Sequence, residues 1–219
     1  MRSARLEEPL DSYSAQELEQ WVLVRRSADI GWRCENLKFG RDRWIERKDI
    51  WTTYLVPGGR WFLICDMDGT VTTYDLDAST ITGRLLIPRD EQDTLKLPMY
   101  CIAIDVDSSE QSPNLRFTIA LSTPLRRLNT HFWRATLTGH STEARLTADH
   151  LCSLQAPDTG YISSIAIRRN IIAQIHEQED MSYIEVYDWE LSTPSAHCKG
   201  MIFPGVKIVS LTSAFPPFF

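Results

Sequence analysis

The sequence lacks most of the marks of an enzyme or a secreted protein. Cysteine is sparse, 5 in 219 residues. Cys34, Cys65, Cys101, Cys152 and Cys198 are odd in number and far apart, and no C-x-x-C pair occurs. A small disulfide-stapled domain shows an even, dense set instead. The histidines (His131, His140, His150, His176, His197) stand at no zinc-ligand spacing from a cysteine or from one another, so no metal is expected. No apolar run approaches the roughly 18 residues that a membrane span needs. Met1 to Leu10 is charged, without a signal-peptide core. The expectation is an intracellular protein, cytoplasmic or nuclear. An excess of positive charge is also missing. The net charge is -6, whereas a general nucleic-acid binder carries a basic face. The pairs Arg25-Arg26, Arg126-Arg127 and Arg168-Arg169 are scattered and read as solvated surface. There is no G-x-S-x-G elbow, no Walker loop and no G-x-G-x-x-G, so no nucleotide cofactor is expected.

What is present is an ordinary globular composition, 43% hydrophobic and 24% charged, too apolar for a disordered chain. One segment reads as helix. Ser14-Ala15-Gln16-Glu17 has the S-x-x-E form of a capping box. Leu18, Trp21 and Val22 follow at helical spacing, Arg25 and Arg26 suit the last turns, and Gly31 can end the helix. Arg33 to Lys48 reads as an irregular connection. The division is therefore a helical linker over 1–48 and a β domain over 49–219.

From Ile50 the texture is that of short strands between turns. The first set is Trp51–Leu55, Trp61–Cys65, Val71–Tyr74 and Ile81–Ile87. The second is Tyr100–Val106, Arg116–Leu121, His131–Leu137 and Ala144–Leu151. The third is Tyr161–Ile167, Ile171–His176, Tyr183–Tyr187 and Cys198–Ile202, and Lys207–Leu211 starts a further unit. Proline, which lacks the N–H of a sheet ladder, falls outside all of these runs. The sets recur with a period of roughly 50 to 60 residues, as in stacked repeat architectures. Tyr74-Asp75-Leu76-Asp77 of the first set returns as Tyr187-Asp188-Trp189-Glu190 in the third, each at the end of a third strand. The second set reads Phe132-Trp133-Arg134-Ala135 instead. The fold class expected is mainly β: a partial β-propeller of about three four-stranded antiparallel blades after an N-terminal helix.

One motif carries chemistry. Cys65-Asp66-Met67-Asp68-Gly69-Thr70 after an apolar strand resembles the first motif of haloacid dehalogenase-type phosphatases. That resemblance implies Asp66 as phosphoryl-accepting nucleophile, Asp68 as general acid/base and a Mg²⁺ ion between them. Against it, strand-like sequence continues through Ile87 where that α/β fold needs a helix. Leu121-Ser122-Thr123 and Lys199 or Lys207 could stand for later motifs, but no acidic metal motif follows. Asp-Gly between two strands is also a hairpin signal. The hairpin is the leading reading, with no catalytic residues, and the phosphatase using Asp66 and Asp68 is the alternative. Asp105-Val106-Asp107 and Glu177-Gln178-Glu179-Asp180 read as solvated acidic turns, with weak cation binding as the alternative. Trp44, Trp61 and Trp189 lie near loops and read as packing residues before hot spots.

Leu55-Val56-Pro57-Gly58-Gly59-Arg60-Trp61, then Asp68-Gly69-Thr70-Val71, then Tyr74-Asp75-Leu76, resembles a WD40-like propeller blade from the C-terminal region of fungal F-box proteins. Ser14 to Arg33, closing on Gly31-Trp32-Arg33, is similar to the helical linker ahead of that propeller. The resemblance implies a protein-interaction module that presents substrate to a ubiquitin ligase, with a Skp1-type adaptor as partner wherever an F-box is present. No leucine- and proline-rich F-box precedes Ser12, and three units are fewer than the about four to eight blades of a closed ring. The chain is therefore expected to be a piece of a longer receptor, or a degenerate copy without function of its own.

Overall fold

The computed structural model describes residues 6–33, 44–89, 100–107, 114–122, 129–140, 143–155, 161–178, 181–192 and 202–204. It is mainly β, with one α-helix and three four-stranded antiparallel sheets. Among the described residues these sheets neither close a barrel nor complete a propeller ring.

The helix α1 spans Ala15–Arg33. Its start is the capping box read from sequence. The Glu17 N–H donates to Ser14 Oγ at 3.3 Å, and the Ser14 N–H donates to Glu17 Oε2 at 2.8 Å. Two expectations fail here. Gly31 lies inside the helix and does not end it. Val22 is 52% exposed: it stands at the edge of the half-buried face marked by Leu18, Trp21 and Arg25, on the side away from Trp21.

Each sheet is a meander in chain order. The first holds β1 (Ile50–Leu55), β2 (Trp61–Asp66), β3 (Val71–Asp75) and β4 (Arg84–Ile87). The second holds β5 (Cys101–Val106), β6 (Arg116–Ser122), β7 (Asn129–Thr138) and β8 (Arg145–Gln155). The third holds β9 (Tyr161–Arg168), β10 (Ile171–Gln178), β11 (Met181–Asp188) and β12 (Ile202–Pro204). β4 starts three residues later than read, at Arg84 opposite Thr73, and an added Cβ on the preceding Gly83 would meet Thr72 and Tyr74 at 2.9 Å. β8 runs on to Gln155, and its bulge against Phe132/Trp133 absorbs an extra residue. Pro204 does sit in a strand, on the edge strand β12 opposite Tyr183, where a missing N–H is tolerated. Cys198 to Met201 and Lys207–Leu211 lie outside the described residues.

The sheets stack face to face with the second in the middle. Phe117, Ile119 and Leu121 of β6 turn one way and join Trp61, Leu63, Cys65 and Val71 in a core with the first sheet. Ala120 of β6 and Phe132 of β7 turn the other way and pack on Ile172, Tyr187 and Trp189 of the third sheet. A strand buried on both faces reads as a continuous apolar run, as in Ile119-Ala120-Leu121. The first strands of the second and third sheets, β5 and β9, lie beside one another, while β4 of the first sheet approaches β8 of the second. Trp51 of β1 donates through Nε1 to the Tyr100 carbonyl at 2.5 Å, just ahead of β5. Cys101 of β5 packs beside Ile162 of β9, and Asp105 at the other end of β5 meets Arg168 at the end of β9.

The repeat is visible in the hydrogen bonds. Trp61 pairs with Asp75, Arg116 with Thr136 and Ile171 with Asp188. Just beyond each pair the same backbone bond recurs: Leu76 N–H to Arg60 O, Leu137 N–H to Leu115 O, Trp189 N–H to Asn170 O. The second-set counterpart of Tyr74-Asp75 and Tyr187-Asp188 is thus Ala135-Thr136. The reading at Phe132–Ala135 was out of register, because β7 continues past the corner to Thr138.

Candidate functional site

Asp66 and Asp68 sit on the turn that joins β2 to β3. The Asp66 N–H donates to Thr70 O at 2.9 Å, the Gly69 N–H to Asp66 O at 3.0 Å, and Gly69 has φ +82°. Tyr100 packs so closely on Gly69 that an added Cβ would meet its ring at 2.7 Å. Asp68 Oδ1 accepts from the Thr70 N–H at 3.0 Å. The Asp66 carboxylate accepts from Arg47 Nε at 3.1 and 3.2 Å and is ion-paired with its Nη2. Arg47 also donates to Thr72 Oγ1 at 2.8 Å and to the Tyr74 hydroxyl at 3.2 Å, and its hydrogen bonds to Asp66 raise its pKa. The two carboxylates thus brace a hairpin between antiparallel strands. Among the described residues no group of three His, Cys, Asp or Glu side chains is placed to hold a metal ion.

Among the described residues the thiols offer no activated nucleophile, since all three, Cys65, Cys101 and Cys152, have raised pKa values through burial. Burial pushes Cys65 up to about 12 and Cys101 up to about 11, which holds both protonated and unreactive at neutral pH. Of the three tryptophans, Trp61 is 2% exposed and Trp189 4%, both packed in the cores, while Trp44 is 91% exposed.

A cleft of about 400 Å³ opens where the second and third sheets meet. It gathers residues that are far apart in sequence. The end of β5 supplies Asp105 and Asp107, β6 and β7 supply Arg116 and Arg134, and the β9–β10 turn supplies Arg168, Arg169 and Asn170. Trp189 and Glu190, just after β11, complete it. The acidic Asp105–Asp107 turn and the Arg168-Arg169 pair, read separately as solvated, are brought together here. Arg168 Nη1 lies 3.2 Å from Asp105 Oδ1, and Asp107 is ion-paired with Arg116. The Asp105 side chain is only 12% exposed.

Arg169 has φ +55°, a left-handed conformation that a non-glycine residue enters at a cost. It is held from both sides. Its N–H donates to Asp105 Oδ2 at 2.6 Å, and its carbonyl accepts from Trp189 Nε1 at 2.9 Å. Trp189 in turn stacks on Phe132, with ring centroids 4.8 Å apart and planes at 13°. The turn is therefore anchored to both sheets, and its guanidinium is presented at the cleft.

No family model, curated protein or solved structure matches this chain. The fold class and the geometry of its surfaces must then carry any functional reading. Arg134 was the residue to find in the sequence. It alternates with Thr130, Phe132 and Thr136 on one face of β7, and Thr130 and Phe132 are buried. A charge in phase with a buried face is the local inconsistency that marks a site. Missing was the knowledge of which turn would lie across from it.

Proposed function

We propose that the chain is a protein-interaction module, a part of a WD-type β-propeller similar to the substrate-presenting region of fungal F-box proteins. The observation that carries this reading is the arrangement of the three sheets. Each is a meander in chain order, they are stacked face to face, and the first strands of the second and third sheets lie side by side. Blades of a propeller are built this way, and such stacks bind partners at surfaces made by the loops between strands. The recurring aspartate corner at Asp75 and Asp188 supports the same reading. On this reading the aspartates at the β2–β3 turn are structural, the protein is not an enzyme, and a Skp1-type adaptor is a partner only if an F-box exists outside this chain.

The test is the full transcript, extended at both ends of the messenger RNA. A reading frame that continues upstream into an F-box and downstream into more four-stranded units is the expected result. A frame that begins and ends with this chain removes the adaptor contact, and with it the ubiquitin-ligase part of the proposal.

A further inference from the structure

We infer that the cleft between the second and third sheets binds a carboxylate, the acidic side chain of a peptide partner, between the guanidinium groups of Arg134 and Arg169. This rests on the interaction-module reading and names the ligand class of its site.

The charges in the cleft do not cancel. Its lining holds four arginines against Asp105, Asp107 and Glu190. Asp107 is occupied by Arg116, and Asp105 by Arg168 and the Arg169 backbone N–H. Among the described residues, no carboxylate forms an ion pair with the side chain of Arg134 or Arg169. Asp149 is the cross-strand neighbour of Arg134 on β8, but it is exposed and makes no ion pair with it.

Arg134 is half-buried on the face of β7 that packs against the third sheet, in register with Thr118. A guanidinium there has lost water without gaining a fixed counter-charge, so an incoming anion finds it partly desolvated. Its planar donors match a carboxylate in a bidentate fork. Arg169 is carried on a turn fixed at both its N–H and its carbonyl, so little order is lost on binding. The volume, about 400 Å³, suits one side chain and its flanking backbone, near the low end for ligand clefts. Glu190 on the lining disfavours a second acid in the ligand, which selects a single acidic residue with neutral neighbours. The chain as a whole carries -6, so attraction is local and is screened within a Debye length.

The experiment uses the full chain labelled with ¹⁵N and follows arginine Nε–Hε and tryptophan indole resonances. The probes are Ac-Gly-Glu-Gly-NH2, its glutamine counterpart and inorganic phosphate. The glutamate peptide is expected to shift the Arg134, Arg169 and Trp189 signals saturably and to weaken with added salt. The glutamine peptide leaves them in place. Arg134→Gln and Arg169→Gln each weaken binding by about tenfold or more, the loss of one charge-assisted contact. Arg169 is exposed on its turn, so its variant carries the test if the Arg134 variant does not fold. Absence of saturable shifts, equal binding of the glutamine peptide, or unchanged binding in a folded variant overturns the inference. Tighter binding of phosphate than of the glutamate peptide overturns the carboxylate assignment. The transcript result is independent of all these outcomes, so failure here leaves the interaction-module reading in place.

Discussion

Asp188 closes the corner of the third sheet by accepting from three groups at once. Its Oδ1 takes the N–H groups of Glu190 at 3.0 Å and Leu191 at 3.2 Å, and its Oδ2 takes the side-chain amide of Asn170. Asp75 does the same work in the first sheet, accepting from Arg60 at 3.1 and 2.9 Å and from the Asp77 N–H at 3.0 Å. An aspartate suits this place because its short carboxylate reaches the backbone two residues on. Removing it takes away the charged acceptor shared by the turn N–H groups and by the partly buried Arg60 or Asn170 side chain. Asp75→Ala and Asp188→Ala are each expected to lower unfolding free energy by about 1–3 kcal/mol, read from urea titrations. Thr136, at the same corner of the second sheet, has Leu115 opposite the turn and no such set of donors. Thr136→Ala is the control, with a loss within about 0.5 kcal/mol.

The seam between the second and third sheets mixes apolar and polar packing along facing strands. At one end Phe132 of β7, fully buried, stacks on Trp189. Further along, Gln174 of β10 donates to Thr130 Oγ1 at 2.6 Å and approaches Ser122 Oγ at 3.4 Å. Beyond it His176, fully buried, stacks on Tyr183 and has Nε2 3.2 Å from Glu185 Oε2. The Gln174–Thr130 bond across this seam suits only one register, since a slip leaves both groups buried and unpaired. Phe132→Ala is expected to cost about 3–5 kcal/mol, measured as the urea midpoint, and to loosen the Arg169 turn that Trp189 holds.

At the scale of the molecule, the segment before α1 ties the first two sheets together. Glu7 accepts from Arg60 Nη1 at 3.4 Å and Trp61 Nε1 at 3.2 Å in the first sheet. Its carbonyl accepts from the Leu115 N–H at 2.5 Å in the second. Glu8, 8% exposed, contacts His140 Nδ1 beyond the end of β7. The hydrogen bond to Glu8, with its charge, raises the His140 pKa above 6.5. A histidine raised in the folded state adds stability below its unfolded pKa and loses it as pH rises through the folded value. Burial also raises the Glu7 pKa, which acts in the same direction at lower pH. The tie is therefore expected to loosen as pH climbs above 6.5. The check is exchange of the Leu115 amide, corrected for intrinsic rate, at pH 6 and pH 8. Protection falls between the two in the wild type, and His140→Asn removes that dependence.

The sequence by itself determined the elements. Alternation and turn residues placed all twelve strands in order, save that β12 was read earlier and touched the described strand only at Ile202. The capping box placed the start of α1, and the Tyr-Asp repeat identified two of the three corners. These signals are local: a capping hydroxyl, a glycine with positive φ and a two-residue period act within a few positions of one another. Strand ends were less legible, because the bulge in β8 and the edge position of Pro204 depend on a neighbouring strand. The cleft was decided by tertiary structure alone. Asp105 and Arg168 stand 63 residues apart, and their meeting depends on two sheets stacking with first strands side by side. The hairpin at Asp66 was legible in sequence, but Arg47 stands in what reads as an irregular connection, and only the fold brings it onto Asp66 as the brace. Burial decides what a charge does, and burial is a property of the stack, not of the strand.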